Sequence, residues 1–192
     1  FTMPAADVTI IAGFTKKTTT TPGSPSQTTP ASPTPSNEKA GYVDVIPILG
    51  DNGTAKAEVN ADKLNEAFRQ TEADDSGFKT VRIEIKAVDG AAGYTLGLPT
   101  EAFGSAAGTQ KIEIVTPKGT ITVPGNMFDS SVLAAGASLG ISINTADTSK
   151  LSAEIKSRIG NRPVIELSAV INGQKVTWNN PAAPVAVSLD YK

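Results

Sequence analysis

Three stretches of the chain share one design: Val81–Pro99 reads VRIEIKAVDGAAGYTLGLP, Lys111–Pro124 reads KIEIVTPKGTITVP, and Val164–Pro181 reads VIELSAVINGQKVTWNNP. Each opens with apolar and polar residues alternating around Ile-Glu-Ile or Ile-Glu-Leu, the two-residue period of a half-buried strand. Each then passes Asp-Gly, Lys-Gly or Asn-Gly, the residue pairs that close tight hairpins, and returns to a proline that ends strand pairing. The copies are too irregular in length for a solenoid. They predict three hairpins in one sheet system, and hence a mainly β fold.

The flanking segments complete that expectation. Tyr42–Ile48 (YVDVIPI) and Gly53–Val59, on either side of a DNG turn at Asp51–Gly53, read as two further strands, with Pro47 marking an edge or a bulge. Leu139–Asn144 (LGISIN) and Val185–Tyr191 (VAVSLDY) read as two more. Asn60 is placed to cap a helix in which Leu64, Ala67, Phe68 and Thr71 fall on one face. A second helix, from about Thr148 to Ile159, carries Leu151, Ile155 and Ile159 at four-residue spacing and stops at Gly160. Short helical patches are expected at Thr100–Phe103 and Asn126–Ala134, with Met127, Phe128 and Leu133 turned to the core. The predicted product is an antiparallel β-sandwich with two or three short crossover helices.

Composition narrows the chemistry. Of 192 residues none is Cys or His, which removes thiol nucleophiles, disulfides, Ser/His/Asp and Cys/His triads and the commonest metal ligands. Lys plus Arg number 17 against 19 Asp plus Glu, so no basic excess exists to neutralise phosphates, and nucleic acid is not an expected partner. No run approaches the ~20 apolar residues that span a bilayer, so membrane insertion is not expected. The sequence starts at Phe1, without the basic-then-apolar pattern of a signal peptide, and reads as a piece of a longer polypeptide.

The sharpest compositional break is Thr18–Ser36, TTTTPGSPSQTTPASPTPS, in which 16 of 19 residues are Thr, Pro or Ser. Such a segment buries too little apolar area to offset its chain entropy, and proline keeps it extended. At ~3.1 Å per residue it reaches up to roughly 60 Å. The organisation read from this is a short strand-bearing segment at 1–17, a linker at 18–40 and a β-sandwich domain at 41–192. Thr/Pro/Ser tethers of this kind are typical of extracellular modular proteins, so a secreted, cell-surface location is expected.

Two resemblances fit that setting. Phe1–Phe14, FTMPAADVTIIAGF, resembles the closing strand of the Listeria–Bacteroides type of surface repeat. The succession IEIKAVDGAAGYTLGLPTEA, IEIVTPKGTITVPGNM, ISI followed by ADTSKL, and NRPVIEL followed by VTWNNPAAPVAVS resembles a non-catalytic domain found near S-layer homology repeats in Bacillota cell-surface proteins. The resemblance covers nearly all of Tyr42–Tyr191 and implies an accessory or spacer module, with neighbouring modules as its partners. It implies no catalytic residues and no cofactor, and S-layer homology repeats themselves are absent from the sequence.

The candidate ligand contacts are few. Trp178, the only tryptophan, stands beside Asn179 and Asn180 in VTWNN, and a Trp ring flanked by amides is the equipment of a glycan site. Tyr94 is a candidate second ring. This supports an alternative reading, a carbohydrate-binding module for cell-wall or environmental polysaccharide. Against it, strand alternation puts Trp178 on the same face as Val176 and therefore in the core. Glu84, Glu113 and Glu166 recur at one place in the three hairpins, opposite their apolar neighbours, and read as solvated rather than as a two-acid glycosidase pair. Leu98–Ala102 (LPTEA) departs from a sortase signal and reads as a hairpin exit. No D-x-[DN]-x-[DN]-G calcium run occurs, and no metal ligand is assigned. A third reading, self-cleavage at Asn180–Pro181 or a Lys–Asn crosslink, stays open from spacing alone.

Overall fold

The computed structural model describes residues 40–104, 108–133, 136–178 and 180–189. The segments expected at 1–17 and 18–39 lie outside the described residues, as do Asn179 and Tyr191. The described chain forms β1 (Tyr42–Val45), β2 (Ile48–Leu49), β3 (Thr54–Glu58), α1 (Ala61–Gln70), β4 (Lys79–Ile85), β5 (Gly93–Pro99), β6 (Gln110–Thr116), β7 (Gly119–Pro124), β8 (Ser138–Thr145), α2 (Ala153–Ile159), β9 (Ile165–Ile171), β10 (Gln174–Lys175) and β11 (Ala186–Ser188). Two sheets result, one of five strands in the order β1-β4-β6-β7-β11 and one of six in the order β10-β9-β8-β5-β3-β2. The mainly β, sandwich-like class with short helices is therefore observed.

The core is written in the alternation. In the five-stranded sheet Val43, Ile83, Ile114 and Ile121 are register partners across four strands, and all are nearly inaccessible. In the six-stranded sheet Ala57, Leu96, Ile141 and Ala169 form the corresponding row, followed by Leu98, Leu139 and Ile171. These rows belong to one buried cluster. Asn60 caps α1 by accepting a hydrogen bond from the Lys63 N–H at 2.9 Å, and Leu64, Ala67 and Phe68 close one pole of the core as expected.

Strand pairing within the sandwich differs from the expectation of antiparallel hairpins. Lys111–Pro124 is a hairpin, β6 with β7. Val81–Pro99 is not: β4 belongs to the five-stranded sheet and β5 to the six-stranded one. Seven residues, 86–92, separate these two strands, enough to cross the ~10 Å between sheets, whereas two residues hold β6 to β7. Because the chain crosses to the other sheet and comes back, β1, β4 and β6 run parallel, as do β3 and β5.

The third expected hairpin is real but short. Asn172 (φ 51°) and Gly173 (φ 80°) make a two-residue turn with both φ positive, and β10 pairs with β9 over only two residues. Beyond Lys175 the chain leaves the sheet to reach β11 on the other one, so Trp178 is not on a strand, yet Val176 and Trp178 still pack against the core while Thr177 is exposed.

Three smaller expectations are corrected. The second helix starts at Ala153 with Ser152 as its cap and buries no residue. The patch at Asn126–Ala134 is helical only as a 3-10 turn at Ser130–Val132, with Ala134 outside the described residues. The last strand contracts to Ala186–Ser188.

The register rows predict where stability resides. Ile114→Ala should lower unfolding free energy by roughly 2–5 kcal/mol, while Ile155→Ala, on the unburied α2, should stay within about 0.5 kcal/mol. Urea titrations followed by circular dichroism compare them, and equal losses would contradict this core.

Candidate functional site

One open groove, of about 1060 Å3, lies where the β9–β10 hairpin approaches the segment after β7. Local sequence explains both walls. Past Pro124 the chain turns through Gly125 and Asn126, with the Met127 N–H donating to the Pro124 carbonyl at 3.1 Å, and drops Met127 and Phe128 into the core. Asp129 then caps the 3-10 turn, accepting from the Ser131 N–H at 2.8 Å. Its carboxyl is held below the ordinary aspartate range by that N–H and by the Ser131 hydroxyl, so this wall keeps its negative charge into mildly acidic solution. The tight turn at Asn172–Gly173 makes the opposite wall, which brings Gln174, Lys175 and Thr177 to the groove. Lys175 Nζ lies 3.6 Å from Glu166 on β9.

The sequence-nominated residues separate under this geometry. Trp178 is half-buried, its ring stacked on Phe128 at 6.4 Å between centroids with planes 8° apart, and Phe128 in turn meets Phe103 edge-on at 5.4 Å. One face of the indole is thus occupied by protein. Asn180 is half-buried too: its Nδ2 donates to the Asn126 carbonyl at 3.0 Å, and its Oδ1 accepts from the Ala182 N–H at 3.0 Å. Together Trp178 and Asn180 fasten the crossing from β10 to β11 onto the segment after β7. Tyr94 is corrected as a glycan contact: it is only 3% exposed, and its hydroxyl accepts from the Val88 N–H at 3.2 Å. Asn179 lies outside the described residues.

The polar residues that do line the groove, among them Asn126, Asp129, Asn172 and Gln174, were not singled out by sequence reasoning. Their signal lies in two short sequences, Pro124-Gly125-Asn126 and Asn172-Gly173, of which only the second is read above as a turn.

The recurring glutamates are also not simply solvated. Glu84 accepts from the Tyr42 hydroxyl and lies 2.8 Å from Lys86 Nζ, which is itself 3.0 Å from Asp44. Glu113 pairs with Arg82 at 2.6 Å. These contacts bridge β1, β4 and β6 on the outer face of the five-stranded sheet. Glu84, then Asp44, raises the Lys86 pKa, so the amine is held protonated and is a poor nucleophile. Glu166 is the most exposed of the three, at 58%. Among the described residues no group of three or more Asp or Glu gathers to hold a metal ion, and no helix is long and apolar enough to cross a membrane.

Chain polarity is the other functional feature. Following the pairings from β1 through β4, β6 and β7 to β11 shows β1 and β11 parallel, on opposite edges of the same sheet. The chain enters that sheet toward one pole and leaves it toward the other. Ile46 just after β1, Ile48 and Leu49 of β2 and Ile155 of α2 are exposed large apolar side chains, with Ile46 85% and Ile48 79% accessible.

Trp178→Ala should lower stability by about 2 kcal/mol through lost ring contact, measured by urea unfolding. An unchanged midpoint would show that the stack contributes nothing to the fold. No family model, no curated protein and no solved structure matches this chain.

Proposed function

We propose that the domain at 41–192 is a non-catalytic accessory or spacer module of a secreted, cell-surface multidomain protein, which acts by setting the position of its neighbours. The observation that carries this reading is the polarity of β1 and β11: parallel strands on opposite edges send the preceding and following chain to opposite poles. Modules joined this way line up in series. A module whose chain entered and left at one pole would instead fold the polypeptide back on itself.

Two further features support it. The Thr/Pro/Ser composition of 18–36, which precedes the domain in sequence, is that of a semi-rigid tether. Just past β1, Ile46, Ile48 and Leu49 are exposed apolar side chains close together in sequence, too few to match the ~800 Å2 per partner of a stable free complex. A covalently linked neighbour needs less, because it meets such side chains at high effective concentration.

Spin labels on Ala40→Cys and Ser188→Cys test the geometry in the intact chain, which has no native cysteine. Four strand spacings across and a few residues along give roughly 20–25 Å. A single narrow distance in that range supports series placement; a broad distribution or a separation of one strand spacing contradicts it.

A second reading, a carbohydrate-binding module, is favoured by one observation: the groove presents amide, carboxylate and hydroxyl groups above a floor that includes Phe128 and Val176. Its contacts would be Asn126, Asp129, Asn172 and Gln174, with Trp178 and Asn180 holding the wall. Pull-down on insoluble cell-wall polysaccharide tests it. Retention lost in Gln174→Ala/Asp129→Ala would support a glycan site in this groove, and the same retention in wild type and variant would exclude it. A self-reacting domain is the least supported reading, since Lys86 is protonated and solvated and both ends of the Asn180 amide are engaged. An intact mass lowered by ~17–18 Da would reverse that order.

A further inference from the structure

We infer that the five-stranded sheet transmits tension through the module and that the β7–β11 ladder is the clasp that yields first; the inference rests on the spacer reading. In a module joined in series, tension enters the fold at Gly41 and leaves after Ser188. With β1 and β11 parallel on opposite edges, it draws β1 toward its start and β11 toward its end, both along the strand axes. Hydrogen bonds of an antiparallel ladder lie across the strands, so sliding loads them together, where peeling would break them one at a time. The path β1-β4-β6-β7-β11 stays within one sheet. The other sheet, with α2 and most of one groove wall, lies off it and keeps its shape until the first sheet fails.

The ladders along the path are unequal. The β4–β6 and β6–β7 ladders each register six residue pairs. The β1–β4 ladder registers four, flanked by bonds from Arg82 N–H to the Gly41 carbonyl at 2.8 Å and from Lys86 N–H to the Val45 carbonyl at 3.1 Å. It also buries Val43 and Val45 and carries the Lys86 ion pairs. The β7–β11 ladder registers three pairs, and Ala186 and Ser188 are exposed. It is the shortest and least buried, and it slides out first.

Trp178 and Asn180 set the next stage of opening. Once β11 is free, tension passes back along the chain to Asn180, bonded to Asn126, and to Trp178, stacked on Phe128. The released segment is Pro181–Leu189, nine residues and roughly 30 Å of contour. The two residues nominated as glycan contacts are then the backstop of a two-step mechanical opening.

Single-molecule pulling on the full 192-residue chain through tags at its two ends tests this. The pair Thr120→Cys/Ser188→Cys joins register partners of β7 and β11 in a chain without other cysteines, and its reduced and oxidised forms, each checked for folding by circular dichroism, are compared. The reduced protein should open with a short first step, smaller than the ~30 Å contour of Pro181–Leu189 by the distance that segment already spans when folded, followed by a larger release. Oxidation should abolish the first step and move the first rupture to higher force. In Trp178→Ala the first rupture force should persist while the pause after it disappears. An identical first step in both redox forms, a single full-length release at the same force in both, or failure of the pair to crosslink would overturn the inference. The spin-label distance decides the spacer reading separately, so a correct distance with no clasp leaves a spacer that bears no load.

Discussion

Everything in this fold depends on two rows of aliphatic side chains facing each other across the sandwich, Val43-Ile83-Ile114-Ile121 from one sheet and Ala57-Leu96-Ile141-Ala169 from the other. A one-residue slip in any strand would turn its whole apolar set outward, so the rows fix register as well as stability. They also fix which residues remain for function. With the inner faces filled, chemistry is left to the outer faces, the poles and the edges. Among the described residues those surfaces carry paired ions, a polar groove and a few exposed apolar side chains.

Much of this is legible in the sequence, and the part that is not has a definite physical cause. Alternation names the inward residues of β4, β6, β7 and β8 correctly, because side-chain period depends only on the strand itself. Asn60 and Gly160 mark helix boundaries through local hydrogen bonding and backbone conformation. Partner choice is non-local, and Asp89-Gly90 misleads: the dipeptide reads as a hairpin turn, yet the connection is seven residues long and goes to the other sheet. Connection length, two residues against seven, is the available signal. Parallel pairing of β1, β4 and β6 comes with those crossings.

The candidate site is less legible for a related reason. Strand alternation applies to Trp178 only if the strand continues that far, but β10 ends at Lys175 because the chain must reach the opposite sheet. The indole ring is nevertheless half-buried and packs, like Val176, against the core, stacked on Phe128. Tyr94 is ambiguous by composition and is decided by its row, where Ala55 and Ile143 are its register partners and the hydroxyl serves the β4–β5 crossing. The groove arises from two turns far apart in sequence, a juxtaposition that no local motif encodes. The crossings have a second consequence: the same changes of sheet that spoil the hairpin reading set β1 and β11 parallel on opposite edges of one sheet.

The most direct test is a map of interstrand nuclear Overhauser contacts in solution. The fold requires contacts between Val43 and Ile83, between Ile83 and Ile114, and between Ile121 and Val187, with none between the backbones of β4 and β5. A ladder of antiparallel contacts joining Val81–Ile85 to Gly93–Pro99 would contradict it, removing the parallel strands and the two-pole polarity together.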